Sequence, residues 1–149
     1  MAPKLEKLFI LREFVDMSEA QSLGSTKGGA HRGIYPVNSG FLEGEGVYAE
    51  VLSGGGDMLT LDPASNTGYT DTRVQLRSTN AETGKVDAMF FVTYRGILKL
   101  DEKVLLAMTG SPDAKTTSPE DHYCFMGHGH VHMGEAGSMA LEYDIYKLS

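Results

Sequence analysis

Three histidines alternate with small or apolar residues near the C-terminal end of the sequence. His128, His130 and His132 stand at every second position, and they are three of the five histidines in the chain. In an extended strand, residues two apart share one face, so these imidazoles would lie side by side. Neutral imidazoles donate and accept hydrogen bonds and exchange protons near pH 7, which suits acid–base chemistry on a small organic molecule. We expect this face to line a cavity; a solvent-exposed strand face is the alternative.

Tyrosines and a carboxylate are the natural companions of such imidazoles. A phenol can donate to a developing oxyanion, and a carboxylate can orient an imidazole or take a proton. The residues that we predict to be catalytic are His128, His130, Tyr94 and Asp57. The residues that we predict to bind substrate are His132, Tyr123, Arg73, Phe125 and Phe91. A structural interpretation also exists, because Asp57 follows three glycines and is typical of a turn.

A metal site on the histidine strand is a weaker interpretation. His128, His130 and the later Glu135 resemble the ligand pattern of cupins. Successive positions on one strand face lie ~6.6 Å apart, so the outer two histidines, ~13 Å apart, cannot reach one ion. A complete site would need ligands from another strand. We therefore predict no metal and no cofactor, and keep a cupin-like metal enzyme as an alternative.

Glycine-rich turns separate short apolar segments along the whole sequence. The 18 glycines are spread between these segments and form no repeat, a distribution typical of many tight turns. The strands that we predict cover residues 5–14, 31–37, 46–52, 58–62, 69–77, 86–94, 123–133 and 139–147. One helix is predicted over Leu100 to Met108, where Asp101 can cap the start and Gly110 ends the pattern.

The order of these elements predicts the fold class. Strands that follow one another through short links, without intervening helices, form antiparallel neighbours, and closing the sheet removes its exposed edges. We predict an all-β protein: a closed antiparallel up-and-down barrel of about eight strands, with the one short helix over one mouth. A barrel of this size is filled by side chains or holds one small ligand. We assign residues 1–149 to a single domain, and a two-sheet sandwich is the alternative.

Two strands carry information about the two faces of the barrel wall. From Thr72 to Ser78, polar Arg73, Gln75 and Arg77 alternate with apolar residues. The polar side of such a strand meets either water or a lined cavity. The segment from Ala88 to Tyr94 is apolar on both faces, which predicts a second contact surface and hence a homo-oligomer.

Charge and composition exclude several classes of partner. The net charge is −7, with no basic block, so binding to nucleic acid or anionic lipid is not expected. No run of eighteen apolar residues exists and the N-terminal residues are charged, so we predict no membrane partner and a cytoplasmic location. The lone Cys124 excludes an internal disulfide and is interpreted as a small buried apolar residue.

An ordered set of short motifs resembles the DUF3237 family of small proteins. The resemblance spans nearly the whole chain and is carried by Leu5 to Phe9, Leu23 to Gly28, Gly40 to Gly44, Glu50 to Asp57, Thr72 with Arg73, Tyr94 to Gly96, and Leu141 to Lys147. It implies a closed antiparallel β-barrel with a cavity and no dedicated nucleotide or metal signature. The chain is also similar to small fungal barrel proteins that act as cofactor-free cyclases or pericyclases. It departs from the family pattern at Cys124 to Gly127.

The leading functional hypothesis is a cofactor-free enzyme for a hydrophobic small molecule. Such an enzyme would fold a reactive, largely apolar substrate inside the barrel and promote cyclisation, cycloaddition of the Diels–Alder type, or isomerisation. Shape would hold a near-attack conformer, while His and Tyr hydrogen bonds polarise a carbonyl. A non-catalytic protein that binds a hydrophobic metabolite is the alternative from another class.

Overall fold

A computed structural model describes residues 4–80, 82–117, 122–124, 127–134 and 138–148, and for residues 122–124, 127–130, 147 and 148 it describes the backbone alone. The strands are β1 (Leu5–Val15), β2 (Gln21–Ser25), β3 (His31–Gly44), β4 (Val47–Val51), β5 (Gly55–Asp62), β6 (Thr67–Thr79), β7 (Val86–Lys99), β8 (His122–Cys124), β9 (Gly127–Met133) and β10 (Met139–Leu148). A 3-10 turn (Met17–Glu19) joins β1 to β2, and helix α1 (Glu102–Met108) follows β7.

The strands form one closed antiparallel wall. Hydrogen-bonded neighbours run in the order β1, β10, β9, β8, β7, β6, and β6 then pairs with both β4 and β5. These two pair in turn with β3, which pairs with β1 and closes the circle. The predicted antiparallel barrel is therefore confirmed.

The predicted strands differ from the observed ones in length and in number. Strand β3 continues to Gly44 and β7 to Lys99, beyond the predicted ends at residues 37 and 94, and two further strands are present. Strand β2 lies on β3 beside the end of β1, and the sequence analysis missed it because its five exposed residues show no apolar alternation. The single strand predicted over residues 123–133 is instead two strands, β8 and β9, which meet where Cys124 pairs with Gly127. Both differences in number arise where the alternation of apolar and polar residues is weak.

Closure of the barrel depends on glycines in β3. Gly40 pairs with Glu13, and a Cβ atom at position 40 would lie 2.0 Å from the carbonyl oxygen of Arg12. Gly44 has φ +151°, and its Cβ atom would lie 1.9 Å from the carbonyl oxygen of Leu8. Only glycine allows two backbones to approach this closely. These residues therefore fix how β1 lies against β3.

Helix α1 packs at the end of the barrel where β7 ends. The Asp101 carboxylate accepts a hydrogen bond of 3.0 Å from the backbone N–H of Val104, as the predicted N-cap requires. Val104 is fully buried in a cluster with Leu59, Leu98 and Leu100. The predicted helix is thus confirmed, and this end of the interior is filled by apolar side chains.

The outer face carries two residues that were expected in the cavity. Strand alternation buries Thr72, Val74 and Leu76 inside the barrel, so Arg73 between them is exposed. On β7, the same alternation leaves Phe91 64% exposed. The expectation that Arg73 and Phe91 line the cavity is therefore corrected: the polar face of residues 72–78 points outward. An exposed Phe91 is what a contact between two copies of the chain would need, but the homo-oligomer stays a prediction.

Among the described ranges, no helix has the length and apolar character needed to span a bilayer.

Replacing Gly40 by alanine tests the closure seam. We expect Gly40→Ala to lower the free energy of unfolding by about 3 kcal/mol or more, because the added methyl group meets backbone that cannot move without breaking the β1–β3 ladder. Gly46→Ala is the matched control: its φ is +74° but nothing lies within 4 Å of the added atom, so about 1 kcal/mol is expected. Urea denaturation measures both, and equal losses would contradict the steric explanation.

Candidate functional site

An apolar cavity of about 340 Å³ occupies the end of the barrel opposite α1. Most of the side chains that line it are aliphatic or phenyl groups from β1, β3, β7 and β10: Phe9, Leu11, Leu42, Phe90, Val92 and Ile145. Val47 and Thr93 also contribute, and the two hydroxyl groups on aromatic rings belong to Tyr94 and Tyr143. None of the described lining residues carries a charge. The cavity has the size and character of a small-molecule site.

Tyr94 connects the cavity wall to a buried acid. Its hydroxyl forms a short hydrogen bond with Oε2 of Glu13, which projects from β1 into the interior. Its ring packs against Tyr143 with a centroid separation of 4.7 Å. Glu13 is 0% exposed, and its second oxygen, Oε1, has no hydrogen-bond partner among the described residues. Tyr94 thus lies in the cavity wall, and its hydroxyl is directed toward Glu13 behind that wall.

Sequence analysis did not single out Glu13. A signal for it exists, because Phe9, Leu11, Glu13 and Val15 alternate along β1 and all lie on the buried face. An acid in the apolar register of a strand is unusual, since charged groups are rarely fully buried without a partner. Glu13 was not predicted because the predicted site rested on histidines and not on polar residues that lie on apolar strand faces.

Burial controls the protonation of Glu13. Removal from water raises the pKa of the Glu13 carboxyl from 4.5 to about 8; the Tyr94 hydrogen bond lowers this pKa and nearby Asp57 raises it. No cation of the described residues contributes to it. An isolated carboxylate with an unpartnered oxygen would be very costly in such a place. Glu13 is therefore a neutral carboxylic acid at pH 7.

A row of polar side chains crosses the barrel at the level of Tyr94. Tyr94 pairs with Thr72, Thr72 with Asp57, and Asp57 with Tyr35 across four neighbouring strands. Paired residues on antiparallel strands point to the same face, which here is the interior. The predicted catalytic residues Tyr94 and Asp57 are thereby placed in one layer of the barrel, together with Glu13.

Asp57 is a buried strand residue and not a turn residue. It is 2% exposed in β5, and its carboxylate accepts a hydrogen bond of 3.0 Å from the backbone N–H of Asp71. Burial raises the pKa of Asp57 to about 6, an effect that hydrogen bonding partly offsets. The pKa values of Tyr35 and Tyr94 are raised as well, in both cases chiefly by burial. Both phenols are therefore proton donors at pH 7.

The pairing of β9 with β10 and the burial of Val131 show which face of β9 carries His132. His132 pairs with Ala140, His130 with Glu142 and His128 with Asp144. Val131, at the position between two of the histidines, belongs to the buried core. His132 is consequently on the other face of β9, and it is not among the described residues that line the cavity. The expectation that His132 lines the cavity is therefore corrected.

For four of the predicted site residues the structure does not describe the side chain. The side chains of His128, His130 and Tyr123, and all of Phe125, lie outside the described part of the chain. Their roles stay predictions. The strand positions opposite His128 and His130, Asp144 and Glu142, form ion pairs with Lys7 and Arg12 on β1.

No group of three or more potential metal ligands occurs among the described residues. The cupin-like alternative rests on His128, His130 and Glu135, whose side chains are outside them.

Comparison with known proteins places the chain in a family. Residues 3–146 match the family model described as protein of unknown function, DUF3237. The chain belongs to this family. No curated protein sequence matches it.

Solved structures share the barrel of this DUF3237 protein. A conserved protein of unknown function from Rhodopseudomonas palustris has 15% identity and a TM-score of 0.67, over 100% of this chain and 99% of the other. A protein of unknown function from Clostridium acetobutylicum has 17% identity and a TM-score of 0.64, with coverage of 100% and 99%. A β-barrel-like protein from Acinetobacter baumannii has 20% identity and a TM-score of 0.61, with coverage of 100% and 98%. At these identities the likeness shows the fold alone.

The free energy of unfolding of the Glu13→Gln variant, relative to that of the parent protein, should increase as the pH rises. Between pH 4.5 and about 8 the folded protein keeps a proton on Glu13 that the unfolded chain has released, so raising the pH lowers the free energy of unfolding. Glutamine cannot ionise, so the variant does not lose unfolding free energy in this way as the pH rises. We expect the variant to gain on the order of a few kcal/mol relative to the parent between pH 5 and pH 9.

Urea denaturation at several pH values measures this difference. Glu43→Gln, at an exposed position of β3, is the control and should follow the parent protein. If the free energies of unfolding of Glu13→Gln and the parent differ by the same amount at every pH, Glu13 is already ionised at pH 5.

Proposed function

We propose that this protein is a cofactor-free enzyme that binds a largely apolar small molecule in the barrel cavity and promotes its cyclisation, cycloaddition or isomerisation. The observation that carries the proposal is Tyr94 in the wall of an otherwise apolar cavity, with its hydroxyl hydrogen-bonded to the buried acid Glu13. A cavity that only stored an apolar molecule would not need a buried acid behind its wall. The resemblance to fungal cyclases points in the same direction.

The cavity supplies the shape for such a reaction. Its aromatic and aliphatic walls exclude water and restrict the conformations of a flexible substrate. Holding reacting atoms close together removes much of the entropic barrier of ring closure. This contribution requires no catalytic side chain, so it applies to cycloaddition as well as to isomerisation.

The Glu13–Tyr94 pair supplies the hydrogen bond. In the structure the Tyr94 hydroxyl donates to Oε2 of Glu13. A proton on that oxygen reverses the bond, so that Glu13 donates and the phenol proton can point at an acceptor in the cavity. A substrate oxygen that gains negative charge in the transition state would be stabilised there more than in the ground state. When Glu13 is ionised, the Tyr94 hydroxyl donates to Glu13 and is no longer available.

Asp57 supports this arrangement from the same layer. Its negative charge raises the pKa of Glu13 and so favours the protonated form that the mechanism needs. The mechanism does not use His128 or His130.

A non-catalytic carrier of a hydrophobic metabolite is the second candidate, favoured by the uncharged, mostly apolar lining. Both candidates require that an apolar compound enters the cavity.

Binding of the neutral fluorescent dye N-phenyl-1-naphthylamine tests this shared requirement. We expect Val92→Trp to weaken dye binding at least tenfold because the indole fills the cavity that Val92 lines. Ile97→Trp, on the outer face of the same strand, is the control and should bind like the parent. Equal binding by all three proteins would place the dye elsewhere and contradict both candidates.

Isomerisation of cyclohex-3-enone to its conjugated isomer, followed by ultraviolet absorbance, separates catalysis from storage. A buffer base takes the α-proton to form the enolate, and a proton from the medium is added at the γ-carbon. We expect a rate above that of buffer alone, which falls about 100-fold in Tyr94→Phe because the hydrogen bond that Tyr94 donates to the enolate oxygen is lost. Tyr69→Phe, on the exposed face of β6, should keep the parent rate. Dye binding without any rate above buffer would contradict the enzyme and favour the carrier.

A further inference from the structure

We propose that the ligand of the cavity is an uncharged carbonyl compound that binds with its oxygen at the deep end and its apolar body toward the open end. This inference rests on the proposed function and adds the substrate class and its orientation. It follows from where the polar and charged groups of the interior lie relative to the cavity wall.

The cavity has a polar end and an apolar end. Phe90 precedes Tyr94 by four residues on β7, which corresponds to about 13 Å along a strand. On β1 and β10, the pair Phe9 with Ile145 lies one same-face step before the pair Leu11 with Tyr143. Tyr94 and Tyr143 therefore lie, with Leu11, in the layer toward the middle of the barrel, and Phe9, Phe90 and Ile145 lie in the outer layer. A ligand with one polar end has one orientation that satisfies both layers.

The charges around the cavity exclude an anionic ligand. No lysine, arginine or histidine is among the described lining residues. Glu13 and Asp57 lie in the layer of Tyr94, and both are buried. A carboxylate or phosphate at this depth would lose its hydration, find no cation among the described residues and lie near the negative charge of Asp57.

A cationic ligand is disfavoured by the same lining. An ammonium group needs several acceptors after it leaves water. Tyr94 donates its hydrogen bond to Glu13, and the other described walls are apolar apart from Tyr143 and Thr93. A ketone or aldehyde oxygen needs one donor, which Tyr94 supplies while Glu13 holds its own proton. The site therefore fits a neutral acceptor best.

Four naphthalene derivatives that share one apolar body test the inference. Isothermal titration calorimetry at pH 7 measures binding of naphthalene, 2-acetylnaphthalene, 2-naphthoate and 2-naphthylmethylammonium. We expect 2-acetylnaphthalene to bind at least tenfold more tightly than naphthalene, and the two charged compounds to bind more weakly than naphthalene. In Tyr94→Phe, the advantage of the ketone should disappear while naphthalene binds as before; Tyr69→Phe should behave like the parent.

The outcomes separate this inference from the proposed function. Tightest binding of 2-naphthoate or of the ammonium compound would overturn the inference but leave an apolar ligand site in place. Equal binding of naphthalene and 2-acetylnaphthalene would overturn it too, since no donor would then reach the ligand. Failure of naphthalene itself to bind would contradict the proposed function.

Discussion

The proposed site depends on a carboxylic acid that is buried with no cation beside it among the described residues. Glu13 lies on the apolar face of β1, contacts the Tyr94 hydroxyl, and leaves one oxygen without a partner among the described residues. Such a group is tolerated only when it stays protonated, because an uncompensated buried charge is far more costly than a buried neutral acid. Proteins keep groups of this kind where their protonation state serves a purpose, although structural networks also contain them.

The barrel explains how this acid comes to lie behind the cavity wall. Glycines in β3 allow the backbone of β1 to approach closely, and the approach occurs at Gly40, opposite Glu13 itself. Helix α1 fills one end of the interior with Val104, whereas the opposite end is left hollow between β1, β7 and β10. Tyr94 stands between the two regions. The acid, the phenol and the cavity are therefore consequences of one closed sheet.

The sequence predicted the fold better than the site. Alternating strands and glycine turns were enough to predict the closed antiparallel barrel, and Asp101 predicted the start of α1. Periodicity says which residues share a face, but it does not say which face is inside. Arg73 and Phe91 were placed in the cavity for this reason, and both lie on the outer face.

Residue type alone predicted only part of the site. Tyr94 and Asp57 were chosen by residue type, and the strand register brings both into the layer of Glu13. Glu13 itself could be recognised only by comparing its charge with the apolar pattern of its strand. The contact between Glu13 and Tyr94 joins residues 81 positions apart in the chain. No local pattern encodes such a contact, because it depends on the closure of the whole sheet.

The titration of Glu13 tests the central claim most directly. Carbon-detected NMR of the side-chain carboxyls, with the Glu13 signal assigned by its absence from Glu13→Gln, gives the pKa of this one group. The account predicts a pKa near the value of about 8 that burial imposes, so that the carboxyl is protonated at pH 7. A midpoint close to that of an ordinary exposed glutamate, about 4.3, would show an ionised group and contradict the account.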